Sequence, residues 1–203
     1  MYKKNKDFKW AMVKDNVLTK TECKHYINKI KNTKGVIKNR EHVINNGRFV
    51  SFDNDPISKK IFNIVKIANS VCFKFSIGES GICYGKEYSE KEFIQIEDND
   101  FHSDLSTEDN IVAHYSDDGK ELYRDNEGTD RYLDVFDTTT KLTTILFLND
   151  EFEGGNLQIW STQIEPKPGR LVIFPSFAAH KIRKFSGGDR FVIATFIKGD
   201  YFK

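Results

Sequence analysis

Little in this 203-residue chain could staple or stiffen it. Its three cysteines, Cys23, Cys72 and Cys83, stand far apart with no Cys-x-x-Cys pair. That pattern fits neither a disulfide framework nor a structural zinc site, and it suits a reducing compartment. No sign of charge predominates: 31 Lys+Arg stand against 30 Asp+Glu. A balance this close gives no overall pull toward nucleic acid or a membrane surface. The longest apolar runs, such as ILFL and LVIF, are far too short to span a bilayer. The basic start MYKKNKDFKW is not followed by the apolar stretch of a secretory signal. The expectation is a cytoplasmic protein with no membrane partner. There is no internal repeat.

Aromatic carbon is abundant, with 17 phenylalanines, too many for a disordered chain. The length suits one domain, 1–203, whose core closes without cross-links. The N-terminal part, 1–72, reads as a helical support region. Thr19-Lys20-Thr21-Glu22 has the spacing of a capping box. Leu18, Cys23, Tyr26, Ile27 and Ile30 follow it at helical intervals, to about residue 33. Asp55-Pro56 is a second start signal, an N-cap before a first-turn proline, with Ile57, Ile61, Val65, Ala68 and Cys72 striped behind it.

From 73 to 203 the pattern becomes that of strands. VCFKFSI and KEFIQIE are short and rich in apolar, aromatic and β-branched residues. KLTTILFLN, NLQIW, GRLVIFP, AAHKIRKF and RFVIATFIK follow, separated by Gly154-Gly155, Pro166 to Gly169 and Ser186 to Asp189. Short strands with no helical pattern between them point to an antiparallel sandwich or barrel, so the fold class is mainly β with flanking N-terminal helices (α+β). Between the first strands and KLTTILFLN lies the acidic stretch 105–137, which lacks a clean period. It is either a functional lid or a solvated insertion.

Five histidines limit the chemistry. His25 sits among lysines and reads as a surface residue, and His42 lies in a polar loop. His102 and Asp104 form the one His-x-Asp of the chain; on a strand they would project to the same side. His180 follows 78 residues later, and Arg190 ten residues after that. Two histidines and a carboxylate on one face of a ferrous ion leave coordination positions open for a cosubstrate and dioxygen. Arg190 shares a strand face with Val192, Ala194 and Phe196. A guanidinium on that apolar face calls for an anion, either a bound carboxylate or a structural one.

The C-terminal segments resemble the double-stranded β-helix core of prolyl-4-hydroxylase-like, 2-oxoglutarate- and Fe(II)-dependent dioxygenases. The likeness is carried by T-x-x-x-x-L-N (Thr143 to Asn149), F-x-G-G-x-L (Phe152 to Leu157), P-x-x-G-x-L-V-x-F-P-S (Pro166 to Ser176), then His180 and G-x-R (Gly188 to Arg190). NVLTKTECKHYINKIK and IANSVCFKFSI resemble the segments that precede such a core. The resemblance implies a jelly-roll, cupin-like barrel with His102, Asp104 and His180 as iron ligands and Arg190 on the distal carboxylate of 2-oxoglutarate. It also implies Fe(II), 2-oxoglutarate and O2 as cofactors, ascorbate as an optional addition, and no catalytic side chain beyond the metal centre. The reaction would be hydroxylation of a peptide, protein or small-molecule substrate, peptidyl proline being one option, with decarboxylation of 2-oxoglutarate to succinate and CO2. Thr143, Thr144, Phe147, Ile173 and Thr195 lie on the strands of that core and are candidates for the pocket wall.

Another alignment remains open. Ala113 to Asp125 also resembles an early strand of the family, which would put the first ligands near Tyr123 and Asp125, or on Asp125 and Glu127, with no histidine. Iron binding would then fail, and the chain would be a catalytically inactive β-barrel binding module. A cupin-like isomerase is disfavoured by Arg190, which resembles a cosubstrate clamp. Nucleic acid is not an expected partner, although KIKNTKGVIKNR is locally basic. The oligomeric state is open.

Overall fold

The computed structural model describes residues 10–33, 36–37, 48–78, 81–90, 101–104, 113–115, 122–124, 131–133 and 139–200. Strand β1 (Met12–Lys14) precedes helix α1 (Lys20–Asn32), β2 (Val36–Ile37), β3 (Arg48–Ser51) and helix α2 (Pro56–Ala68). Strands β4 (Gly81–Tyr88), β5 (Ala113–Tyr115), β6 (Leu122–Arg124) and β7 (Arg131–Leu133) follow. The rest is β throughout: β8 (Thr139–Phe147), β9 (Glu153–Gly154), β10 (Leu157–Ile159), β11 (Thr162–Ile164), β12 (Leu171–Pro175), β13 (His180–Ile182), β14 (Phe185–Ser186) and β15 (Arg190–Gly199).

Both helices start where their caps predict. The Thr19 hydroxyl accepts from the Glu22 amide at 3.2 Å while the Glu22 carboxylate accepts from the Thr19 amide at 2.7 Å. The Asp55 carboxylate accepts from the Ile57 amide at 3.0 Å, with Pro56 opening the helix. These reciprocal bonds satisfy backbone donors that a helix start otherwise leaves open. Of the second stripe, Ile57, Ile61, Val65 and Ala68 are buried.

A seven-stranded sheet runs in the order β1-β12-β8-β15-β4-β3-β2. Its pairings are antiparallel, and β15 joins β8 and β4 along most of its length. Alternation along the strands separates its two faces. Leu142, Leu146, Leu171, Ile173, Cys83, Ile193 and Ile197 pack with Ile30, Ile57, Ile61 and Val65 of the helices. The other face supplies Phe147, Val172, Phe174 and Val192, which close against Leu157, Ile159 and Ile164 of the small sheet β11-β10-β13. The result is a mainly β barrel, with α1 and α2 backing its large sheet.

The structure departs from the sequence reading in several places. The N-terminal segment read as helical also contributes β1, β2 and β3 to the large sheet. VCFKFSI is not a strand: α2 runs on into a π turn over Asn69–Phe73. That turn ends at Lys74 in a left-handed conformation, and Asn69 then clasps both the amide and the carbonyl of Phe75. A side-chain amide that imitates a backbone partner holds these residues out of the ladder. GICYGKEY forms β4, although its two glycines break the apolar alternation. Part of the acidic stretch 105–137 forms the meander β5-β6-β7. KEFIQIE, His42, and the rest of 105–137 outside that meander lie outside the described residues.

Gly85 shows why β4 tolerates glycine. A Cβ there would lie 2.6 Å from Ile30 Cγ1 and 2.7 Å from Phe52 Cε2. The bare backbone lets α1 settle on the sheet. Gly85→Ala is expected to lower unfolding free energy by about 1–3 kcal/mol through overpacking. Chemical denaturation monitored by circular dichroism checks this, and an unchanged midpoint would refute it.

Candidate metal centre

His180 opens β13 and is held there by β10, where it pairs with Ile159. The two amides and two carbonyls of His102 and His180 bond reciprocally, at 3.0 and 2.9 Å. Asp104 continues the pairing, its amide donating to the Ser176 carbonyl at 2.8 Å. Residues 78 positions apart are thereby set side by side through main-chain bonds, independent of their side-chain chemistry.

The side chains converge. The ligand-competent atoms of His102, Asp104 and His180 all lie within 4.8 Å of one another. His180 Nε2 is 3.2 Å from Asp104 Oδ2, and His102 Nε2 is 3.8 Å from Asp104 Oδ1. The His102 side chain is 53% exposed, while His180 and Asp104 are shielded. Of the two early alignments, this one brings its donors together. Tyr123 falls on β6, and Asp125 and Glu127 lie outside the described residues.

The surroundings fix each donor. His180 Nδ1 lies 3.0 Å from the Ala178 carbonyl. A carbonyl only accepts, so Nδ1 carries the proton. Nε2 faces Asp104 Oδ2, donating to it when the ring is protonated and offering a lone pair to a bound cation when it is not. The Thr143 hydroxyl donates to Asp104 Oδ2 at 2.9 Å and lies 3.1 Å from the Ser176 hydroxyl. Burial pushes the Asp104 carboxyl up, but the bond to His180, the two imidazoles and Thr143 outweigh it and hold the carboxyl below its ordinary value. An ionised carboxylate with two imidazole nitrogens fits a ferrous or similar divalent ion.

Arg190 opens β15 and is 1% exposed. Its guanidinium packs between the rings of Tyr88, at 5.0 Å, and Phe147, at 5.2 Å. Burial pushes it down to about 10, against a raising contact with Tyr88. Its Nε and Nη1 are buried with no hydrogen-bond partner. Two orphaned donors on a buried guanidinium call for an anionic acceptor such as a carboxylate. The structural carboxylate that the sequence left open is not there among the described residues. Asn149 grips the chain on both sides of Arg190, donating to the Asp189 carbonyl and accepting from the Phe191 amide, each at 2.8 Å. Asn149 ends the T-x-x-x-x-L-N motif, whose pattern carries no signal of this clamp.

Lys86 likewise carries no signal in the sequence. It lies on the same face of β4 as Tyr88 and is 4% exposed. Its ammonium stands over the Tyr88 ring at 4.0 Å and the Phe49 ring at 4.7 Å. Cation–π contacts return about 2 kcal/mol when desolvated, less than the several kcal/mol that burying an ion costs. Of the suggested wall residues, Thr143 and Phe147 face the centre. Ile173 packs with the helices, Thr195 bonds the Cys83 sulfur, and Thr144 alternates with Leu142 and Leu146 toward α1 and α2. The two-residue period of a strand puts neighbouring residues on opposite faces, so Thr143 and Thr144 cannot share a wall.

Residues 112–198 match the family model described as the 2OG-Fe(II) oxygenase superfamily. The match begins after His102 and Asp104, so their partnership with His180 rests on the geometry above. No curated protein matches by sequence. Among solved structures, a viral collagen prolyl hydroxylase from Paramecium bursaria Chlorella virus-1 aligns with a TM-score of 0.61 at 12% identity, over 99% of this chain and 97% of that one. A Pseudomonas putida prolyl-4-hydroxylase gives 0.59 at 13%, over 95% and 94%. A Trichoplax adhaerens prolyl hydroxylase in complex with a hypoxia inducible factor oxygen degradation domain peptide fragment gives 0.60 at 14%, over 97% and 85%. At such identities the likeness is one of fold, a double-stranded β-helix.

Thr143→Val removes the hydroxyl that orients Asp104 while keeping the side-chain shape. Mn(II) affinity is expected to fall roughly 10- to 100-fold, the usual cost of losing an outer-sphere bond to a ligand. Anaerobic titration followed by electron paramagnetic resonance measures it, and an unaltered affinity would contradict the assignment.

Proposed function

We propose that this chain is a 2-oxoglutarate- and Fe(II)-dependent dioxygenase of the prolyl hydroxylase-like kind, and that it hydroxylates a side chain of a peptide or protein, proline being the first candidate. The observation that carries the site assignment is the convergence of His102, Asp104 and His180 beside a buried Arg190 with two unpartnered donors. The three donors would hold the ferrous ion. Arg190 would take the distal carboxylate of 2-oxoglutarate, with Tyr88 beside it. When bound, iron and cosubstrate together supply the oxidising chemistry, with decarboxylation of 2-oxoglutarate to succinate and CO2.

The protein's own part is placement. His180 is locked by the Ala178 carbonyl with Nε2 toward the centre. Asp104 is kept ionised by its contacts with His180, His102 and Thr143. Phe174 meets the His180 ring and Phe147 the Arg190 guanidinium, in an apolar cluster with Val172 and Val192, and such an apolar surround strengthens charge contacts. No side chain is needed as a general base. His102, half open, lies on the approach for substrate. The peptide reading is supported by the Trichoplax relative of like fold, which is described with a bound peptide fragment. A reducing, cytoplasmic setting agrees with three free cysteines, and no helix among the described residues is long and apolar enough to cross a membrane.

Fe(II) added anaerobically to the apoprotein, then 2-oxoglutarate, is expected to give a visible charge-transfer band. His102→Ala should abolish it. Arg190→Met should weaken cosubstrate affinity by about 100-fold or more, since a buried charge pair is lost. Absence of the band in the wild type would instead favour the non-catalytic barrel.

A further inference from the structure

Arg190 and Lys86 flank one ring, that of Tyr88, from different strands. Arg190 lies toward β8, against Phe147, and Lys86 lies toward β3, against Phe49. Tyr88 thus partitions the floor into two cationic compartments. The first is matched by the cosubstrate. With an iron site so loaded, the ferrous ion, Asp104, dianionic 2-oxoglutarate and Arg190 sum to zero formal charge. Lys86 is left over, nine-tenths buried and more.

No described carboxylate answers it. Asp104 is committed to His180 and Thr143. Asp189 accepts from the Glu90 amide, and Glu90 accepts from the Gly187 amide. A lysine 4% exposed, whose ammonium meets two aromatic rings and no described carboxylate, carries a weakly compensated charge. We propose that Lys86 is an anion-recognition residue for the substrate, and that the substrate carries a carboxylate beside the position hydroxylated. This rests on the dioxygenase reading above and names the class of molecule it acts on. One ammonium balances a monoanion, whereas a phosphate dianion would leave excess negative charge in the pocket. The rings of Phe49 and Tyr88 give that carboxylate an apolar surround, so the amide of the same compound should bind poorly.

The carboxylate has two sources, an acidic side chain within a peptide or the free α-carboxylate of an amino acid. Protein loaded with Mn(II) and 2-oxoglutarate is titrated with two probe pairs. One is a set of proline-centred peptides with Glu or Gln at each flanking position; the other is N-acetylproline and its amide. Binding is read by tryptophan fluorescence and by the manganese resonance, so no turnover is required. At least one carboxylate probe is expected to bind 10-fold or more tightly than its amide. Lys86→Met should erase that preference and Lys86→Arg should restore much of it; Lys86→Gln stands in if the methionine variant fails to fold by circular dichroism. Discrimination by the peptides alone assigns an acidic peptide, and by N-acetylproline alone a free amino acid. Equal or absent binding of both members of every pair overturns the proposal, as does a preference that survives in Lys86→Met. If the wild type gives no Fe(II)–2-oxoglutarate band, it is the dioxygenase reading that has failed.

Discussion

The main-chain pairing of His102 with His180 is the contact on which the centre depends. It is one antiparallel bridge, extended by the bond from the Asp104 amide to the Ser176 carbonyl. Side chains alone could not hold three donors so closely, because an unloaded set of two imidazoles and a carboxylate offers little net attraction. The backbone bonds are indifferent to the metal, so the donors are positioned before anything binds. The turn at Ser176 to Ala179 serves the centre in three ways. Its carbonyl at Ser176 places Asp104, its carbonyl at Ala178 sets the proton on His180, and its Ser176 hydroxyl meets Thr143.

From that bridge the large sheet carries the rest. β8 and β15 lie side by side, so Thr143 at one end and Arg190 at the other sit on the same inner face. The spacing between metal donors and guanidinium is therefore set by strand geometry. The opposite face gives the helices a largely apolar seat. This division of labour lets the inner face hold buried cations at a cost. Two charged side chains share the Tyr88 ring, and burial of Ile30, Ile57, Ile61 and Val65 on the outer face offsets the expense, at about 1.5–3 kcal/mol per fully buried side chain.

Much of this was legible along the chain. Capping chemistry is local, so Thr19 and Asp55 fixed both helix starts. The C-terminal strands were legible because their turns are punctuated by glycine and proline. Arg190 was legible because its strand neighbours on alternate positions are apolar. Other features were not. β4 carries glycines demanded by Ile30 and Phe52, residues far away in sequence, and so lacks a strand pattern of its own. Asn69 redirected VCFKFSI through a bond that propensity does not register. Lys86 reads as an ordinary surface lysine until Phe49 and Tyr88 are brought around it.

By itself, the sequence determined the kinds of donor available, the helix boundaries, the β character of the C-terminal part and the family resemblance. Each of these depends on residues within a few positions of one another. Only the tertiary structure decided which histidines meet, which threonine of the Thr143-Thr144 pair faces the centre, and that two cations rather than one lie on the inner face. Those depend on which strands pair and in what register, and a shift of one residue would turn every side chain to the other face.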